Sequence, residues 1–145
     1  MKRSATVSWK GTGKDGSGIV STESLALNKN HYSSGSRFEE KSGTNPEELL
    51  GAAHAACFTM KLAYLLAKEN FIPDLIETTA EITLEKETVS KSHLVVHASV
   101  PGITERKFSD LATNAKDNCP VSKALNMNIT LDSHLTAEIE SVSRS

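Results

Sequence analysis

The stretch T-N-P-E-E-L-L-G-A-A-H-A-A-C-F-T-M, residues 44–60, decides how the rest of this chain is read. Asn45 has the short polar side chain that caps a helix start, Pro46 falls at the first helical position, and Glu48 at the third. Two carboxylates in the first turn suit the positive end of the helix dipole. The pattern predicts a helix from there to about Asn70, because Pro73 forbids much continuation. Ala52, Ala53, Ala55 and Ala56 surround His54. Small side chains on several faces let other backbone approach closely, so this reads as a central helix packed on more than one side. In the middle of it sits Cys57.

Outward from the helix the pattern changes period. Residues 76–85 alternate, with Ile76, Thr78, Ala80, Ile82 and Leu84 in one phase and Glu77, Thr79, Glu81, Thr83 and Glu85 in the other. Residues 93–100 carry Leu94, Val96, Ala98 and Val100 in phase, so His93 and His97 share the opposite, solvent-facing side. Both read as strands of an antiparallel sheet with one wet face. Thr104 can cap a helix bearing Phe108, Leu111, Ala112 and Ala115, which breaks at Asn118-Cys119-Pro120. A short helix over 120–125 follows, then a last strand over 128–139 through Ile129, Leu131, Ser133, Leu135, Ala137 and Ile139. Before the central helix, residues 5–9 and 18–22 predict two strands joined by the Gly-rich turn at 11–16. The clusters at 28–30 and 33–35 read as turns. Strand pairs flanking helices give an α+β class.

Composition sets the bounds. With 145 residues, 38% apolar and 23% charged, the chain suits one soluble domain spanning 1–145. A formal charge of −2 gives no support to nucleic-acid binding. No apolar run approaches the roughly 20 residues of a membrane span, and the basic N-terminus lacks a signal-like apolar stretch. The expectation is a cytoplasmic protein with no membrane or nucleic-acid partner.

The chain has two cysteines, Cys57 and Cys119. In a reducing compartment they are inert, metal ligands, or a redox pair. Pro120 places Cys119 near a helix N-cap, where exposed backbone N–H groups favour a thiolate. His54 lies three residues before Cys57 on one helix face, so its imidazole could help ionise that thiol. Local spacing alone favours Cys57 as a small core side chain. A zinc site needs about four ligands of this kind, and Cys57, His54 and Cys119 supply three. The P-loop, nucleophile-elbow and dinucleotide signatures are absent, and no cofactor is implied.

Taken together, 43–58, Arg37-Phe38-Glu39 before it and Cys119-Pro-Val-Ser122 after it resemble the OsmC/Ohr family of hydroperoxide reductases. The likeness extends to Val20-Ser-Thr-Glu-Ser24, Val100-Pro-Gly-Ile103 and Ile129-Thr-Leu-Asp132, and the Ala-Ala-His-Ala-Ala-Cys wording points to the OsmC branch. Val121 stands where the Ohr branch commonly has a tyrosine. The resemblance implies an OsmC-like fold, with antiparallel sheets wrapped around central helices in an intertwined homodimer. It also implies a thiol-dependent peroxidase that prefers organic hydroperoxides to hydrogen peroxide and needs a dithiol reductant, of lipoyl type in the Ohr branch. Carried over, Cys57 attacks the peroxide, Cys119 resolves the product, and Arg37 and Glu47 are the polar pair at the thiolate. The competing readings are a Cys-His hydrolase using Cys57 and His54, and a non-enzymatic binder of apolar ligands.

One constraint comes from reach. Glu47 and Cys57 lie ten residues apart, about 15 Å of rise and roughly 80° of turn in one straight helix. An arginine side chain would struggle to touch both. The expectation is that Arg37 and Glu47 meet Cys57 of the other subunit, or that the helix is bent or interrupted. Phe38, Phe58, Met60 and Leu62 are candidates for lining an apolar substrate pocket, with core packing the plainer role.

Overall fold

The computed structural model describes residues 1–38 and 42–136. Its elements run β1 (Ala5–Lys10), β2 (Ser17–Thr22), β3 (Asn30–Tyr32), α1 (Ser34–Phe38), α2 (Pro46–Lys68), β4 (Leu75–Glu85), β5 (Thr88–Ser99), α3 (Glu105–Asn118), α4 (Pro120–Ala124) and β6 (Asn128–Leu135). The chain divides into two compact units, Met1–Leu49 and Leu50–Ser145.

The first unit is a three-stranded antiparallel sheet in the order β1-β2-β3, followed by the short helix α1. The β1–β2 turn closes through Gly16 N–H to Thr12 O at 2.8 Å. Gly16 is required there, because a Cβ would run into the Lys10 and Thr12 carbonyl oxygens. Of the segments expected as turns, residues 28, 29 and 33 lie outside any strand or helix, with Lys29 at positive φ (54°), whereas Asn30 opens β3 and residues 34–35 open α1. A three-residue strand and a one-turn helix are too short to show a period. Val20 is the one buried apolar side chain in this unit among the described residues. Val7 pairs with Val20 and Trp9 with Gly18, whereas Ile19 pairs with Ser8. Paired residues share a face, so Val7 and Trp9 leave apolar surface on one face and Ile19 on the other.

The second unit packs helices on the sheet β4-β5-β6. β4 and β5 are antiparallel, as expected, and Leu94, Val96 and Ala98 of β5 are fully buried. Together with Phe58, Leu62 and Leu66 of α2 and Phe108, Leu111, Ala112 and Ala115 of α3 they form one core. β5 starts at Thr88, five residues before the expected 93. The chain reverses through Lys86 and Glu87, both at positive φ (49° and 61°). That tight turn normally advertises itself with Asn-Gly, and here it does not. β6 pairs with β5 in parallel, departing from the antiparallel expectation for the sheets. The segment between them, holding α3 and α4, supplies the long crossover a parallel pair requires. Positions 137–139 of the expected last strand lie outside the described residues.

The caps are where the sequence puts them. Asn45 Oδ1 accepts from Glu48 N–H at 2.7 Å, and Thr104 Oγ1 accepts from Lys107 N–H at 3.1 Å. Helix α2 is unbroken for 23 residues and has a mean hydropathy of 1.4 over its most apolar stretch. By length and composition it matches a bilayer span, which corrects the expectation that no such run exists. Glu47 and Glu48 open it, and its buried side chains join the core of the second unit. Only 28% of the apolar stretch is buried within the chain, and Met60 and Tyr64 stand exposed.

Candidate active site

Two polar clusters hold the residues singled out in the sequence, one in each unit. In the first unit, Arg37 on α1 meets Glu47 in the first turn of α2. Its Nε donates to both carboxylate oxygens at 2.8 and 3.0 Å, and its Nη2 donates to Oε1 at 2.5 Å. This forked contact suits a planar guanidinium. Glu48 serves the cap through its own backbone N–H, and its carboxylate accepts from Thr44 Oγ1 at 3.0 Å. That division leaves Glu47 to the arginine. Burial pushes the Glu47 carboxyl upward, but the Arg37 hydrogen bonds and charge outweigh it, and the net shift is below 4.5. Beside Arg37 opens a cleft lined by Trp9, Tyr32 and Pro46, with the two rings 5.3 Å apart. These aromatic residues, brought together by the β1-β2-β3 register, carried no signal in the sequence. Of the expected pocket residues, Phe58 and Leu62 are wholly buried core, while Phe38 and Met60 are exposed.

In the second unit the fold brings Cys57 and Cys119 together, although they lie 62 positions apart in the sequence (57 to 119). Both are free thiols; Cys57 is half-buried and Cys119 fully buried. The two thiols lie close enough for Cys119 to perturb the ionisation of Cys57, and the Val121 backbone also acts on it. Cys119 is the N-cap of α4, with Pro120 next, as the sequence predicts. Its sulfur accepts from Ser122 N–H at 3.4 Å. The free N–H groups of this one turn are therefore shared between two sulfurs. Burial raises the Cys57 pKa above its ordinary value of 9.0; the Val121 hydrogen bond lowers it, and neighbouring Cys119 raises it further.

His54 does not pair with Cys57, as their three-residue spacing allowed. Its Nδ1 lies 2.6 Å from Ser92 Oγ and its Nε2 lies 2.8 Å from Ser122 Oγ, so both ring nitrogens are engaged. Ser122 Oγ in turn lies 3.0 Å from Cys119 Sγ. The imidazole thus reaches Cys119, the other cysteine, through a serine. The helix approaches the sheet closely here because Gly51 lacks a side chain: a Cβ would sit 3.2 Å from Ala80 O. The sequence held two faint signals for the serines. Ser92 is in phase with Leu94, Val96 and Ala98, a polar residue on an apolar strand face. Ser122 stands three residues after the cap, where a side chain can return to it.

His93 and His97 lie on the outer face of the sheet, as expected. His93 bonds Thr130 Oγ1 at 2.5 Å and Asp132 Oδ2 at 3.1 Å, and the exposed His97 stacks on His134 at 4.7 Å. Among the described residues no group of three or more His, Cys, Asp or Glu side chains converges to hold a metal.

Comparison with known proteins agrees with this architecture. The family described as OsmC-like protein matches residues 39–134. The chain is 47% identical over 131 residues to Peroxiredoxin OsmC of Escherichia coli, covering 88% of this chain and 92% of that protein. It is 30% identical over 133 residues to Organic hydroperoxide resistance protein OhrA of Bacillus subtilis, covering 88% and 93%. The crystal structure of an OsmC-like protein from Mycoplasma pneumoniae has the same fold, with a TM-score of 0.75 at 12% identity over 93% of this chain and 97% of that one. On the strength of the family match and the 47% identity, this chain belongs to the OsmC/Ohr family, in its OsmC branch.

Proposed function

We propose that this protein is a thiol-dependent peroxidase that reduces organic hydroperoxides to alcohols, and hydrogen peroxide less well. The observation that carries the reading is the meeting of Cys57 and Cys119, two free thiols distant in sequence and adjacent in the fold. The kinship with named peroxiredoxin and hydroperoxide-resistance proteins points the same way.

In the cycle, the Cys57 thiolate attacks one peroxide oxygen and the O–O bond breaks. The other oxygen leaves as an alkoxide and takes up a proton to become the alcohol. Cys57 is then a sulfenic acid. Cys119 condenses with it, releasing water and forming the Cys57–Cys119 disulfide. A dithiol, of lipoyl type in this proposal, restores both thiols by exchange. The half-buried Cys57 meets the substrate, and the fully buried Cys119 resolves it.

Cys57 needs a cation, because burial and Cys119 hold its thiol up. Arg37 suits that role, since it stays charged, is fixed by Glu47, and can also face the departing oxygen. With α2 unbroken, reach favours a site completed by the Arg37–Glu47 pair of a second copy. Apolar surface on both faces of β1-β2-β3 and along α2 supports an intertwined homodimer with two equivalent sites. The Trp9–Tyr32 cleft beside Arg37 would take the alkyl group, whose burial favours organic hydroperoxides. The same reading makes 1–145 a single domain and places the protein in the cytoplasm, where a dithiol pool is at hand.

Thiols counted before and after one equivalent of cumene hydroperoxide test this. Two thiols per chain should be lost, as an intramolecular disulfide, and Cys119→Ser should stall after one oxidation. No loss of thiols sinks the proposal, and sustained turnover by Cys119→Ser removes Cys119 from the cycle.

A further inference from the structure

Resting on the peroxidase reading, we infer that Ser122 and His54 form a proton relay serving the resolving cysteine, Cys119, with Ser92 holding the imidazole in place. The chain of contacts is continuous: Cys119 Sγ to Ser122 Oγ at 3.0 Å, Ser122 Oγ to His54 Nε2 at 2.8 Å, and His54 Nδ1 to Ser92 Oγ at 2.6 Å. Ser92, His54 and Cys119 are wholly buried, and Ser122 is 8% exposed. A histidine and two hydroxyls in such a place are costly unless mutually bonded, and simple packing would be met by apolar side chains. This network ends on the one buried group that the cycle requires to lose a proton.

The hydrogen bonds survive the transfer. At rest, the Cys119 S–H donates to Ser122 Oγ, the Ser122 O–H donates to His54 Nε2, and His54 Nδ1–H donates to Ser92 Oγ. After two protons hop one place each, Nε2–H donates to Ser122 Oγ and the Ser122 O–H donates to the Cys119 thiolate. The Ser122 backbone N–H faces the sulfur throughout, at 3.4 Å, and bonds more strongly once it is charged. Imidazolium and thiolate form together, so the proton transfer itself creates no net charge in the interior. Burial holds the His54 pKa below its ordinary 6.5, so the ring is neutral at rest and free to accept the proton.

The relay acts in both later steps. In condensation, Cys119 passes its proton to His54 as its sulfur attacks the sulfenic sulfur of Cys57. The S–O bond breaks, the S–S bond forms, and hydroxide leaves, taking a proton from solvent at half-buried Cys57. Cys119 is oxidised and Cys57 reduced. The external dithiol then attacks Cys57, the more accessible sulfur, and Cys119 leaves as a thiolate. His54 returns its proton through Ser122. His54 is thus a positioning and proton-holding residue, and Cys57 remains the peroxide-reactive one.

The experiment separates the two half-reactions of the full-length protein. After mixing with one equivalent of cumene hydroperoxide, sulfenic acid is trapped with dimedone and disulfide followed by mass. In Ser122→Ala and His54→Gln the rate of disulfide formation, relative to sulfenic acid formation, should fall roughly 10²-fold. Ser122→Thr, which keeps the hydroxyl, should restore most of it. An unchanged ratio in both variants, or a Ser122→Thr as slow as Ser122→Ala, overturns the relay. A second measurement needs no variant: nitrogen NMR of the reduced wild-type protein should find His54 as the Nδ1–H tautomer, and the Nε2–H tautomer overturns the relay. Wild-type protein that forms no sulfenic acid at all refutes instead the peroxidase reading on which this rests.

Discussion

The two polar clusters of this chain are built on opposite principles. The Arg37–Glu47 pair is charged and lies at the surface, with the arginine side chain 38% exposed. Ser92, His54, Ser122 and Cys119 form a neutral, buried row. Their settings differ likewise. The first unit buries one apolar side chain, Val20, among its described residues, whereas the second closes a core drawn from α2, β5 and α3. The second unit has a closed core but leaves Met60 and Tyr64 of α2 exposed, and the first carries apolar surface on both sheet faces. The lesson is one of exposure: the charged pair stands open to solvent, while the neutral network is enclosed by the second unit's core.

That contrast can be broken experimentally. Its largest expected consequence is kinetic: Arg37→Ala should lower peroxidase kcat/KM about 10²- to 10³-fold. Chemical denaturation of the same variant should barely move, since an exposed ion pair contributes about 0–1 kcal/mol. A large loss of stability with activity retained would make the pair structural. Next in size is the core. Phe58→Ala should destabilise the protein by about 3–5 kcal/mol, while Trp9→Ser should leave unfolding of the second unit nearly unchanged and weaken self-association, read by sedimentation. Equal effects on unfolding would show that the difference between the units is illusory.

The smallest effect concerns acid. His54 has its folded pKa below 6.5, so the unfolded chain binds its proton first. Its contribution to stability is full above 6.5 and is lost as pH falls toward the folded value. Glu47, held below 4.5, contributes fully above 4.5 and loses that contribution as pH falls through its folded value. Acidification should therefore weaken the sealed network before the open pair. Denaturant unfolding followed against pH should show His54→Gln removing the early decline and Glu47→Gln only the later one. A decline beginning below 4.5 in the wild type contradicts this order.

Much of the scaffold was legible in the sequence because its causes are local. The Asn45 and Thr104 caps, the phases of β4, β5 and β6, and the placement of Cys119 at an N-cap each follow from a few neighbouring residues. β3, α1 and the Lys86-Glu87 reversal were missed because they are too short for a period or lack their usual turn residues. The parallel pairing of β6 was hidden for another reason: a strand's alternation states which side is buried and is silent on direction.

The candidate site divides along the same line. Its residue types, Cys57, Cys119, Arg37 and Glu47, stood out by motif, and the Glu48 cap left Glu47 to the arginine. The partner of His54 could not be read that way. Spacing along one helix offered Cys57, yet the ring bonds Ser92 and Ser122, 38 and 68 positions away. The sequence by itself determined where helices begin, which strand faces are apolar and which thiols the chain possesses, since these depend on neighbours within one or two turns. Only the tertiary structure decided that the thiols meet and that the histidine reaches the second of them through a serine, because burial and hydrogen bonding join groups by distance in space and not by distance along the chain.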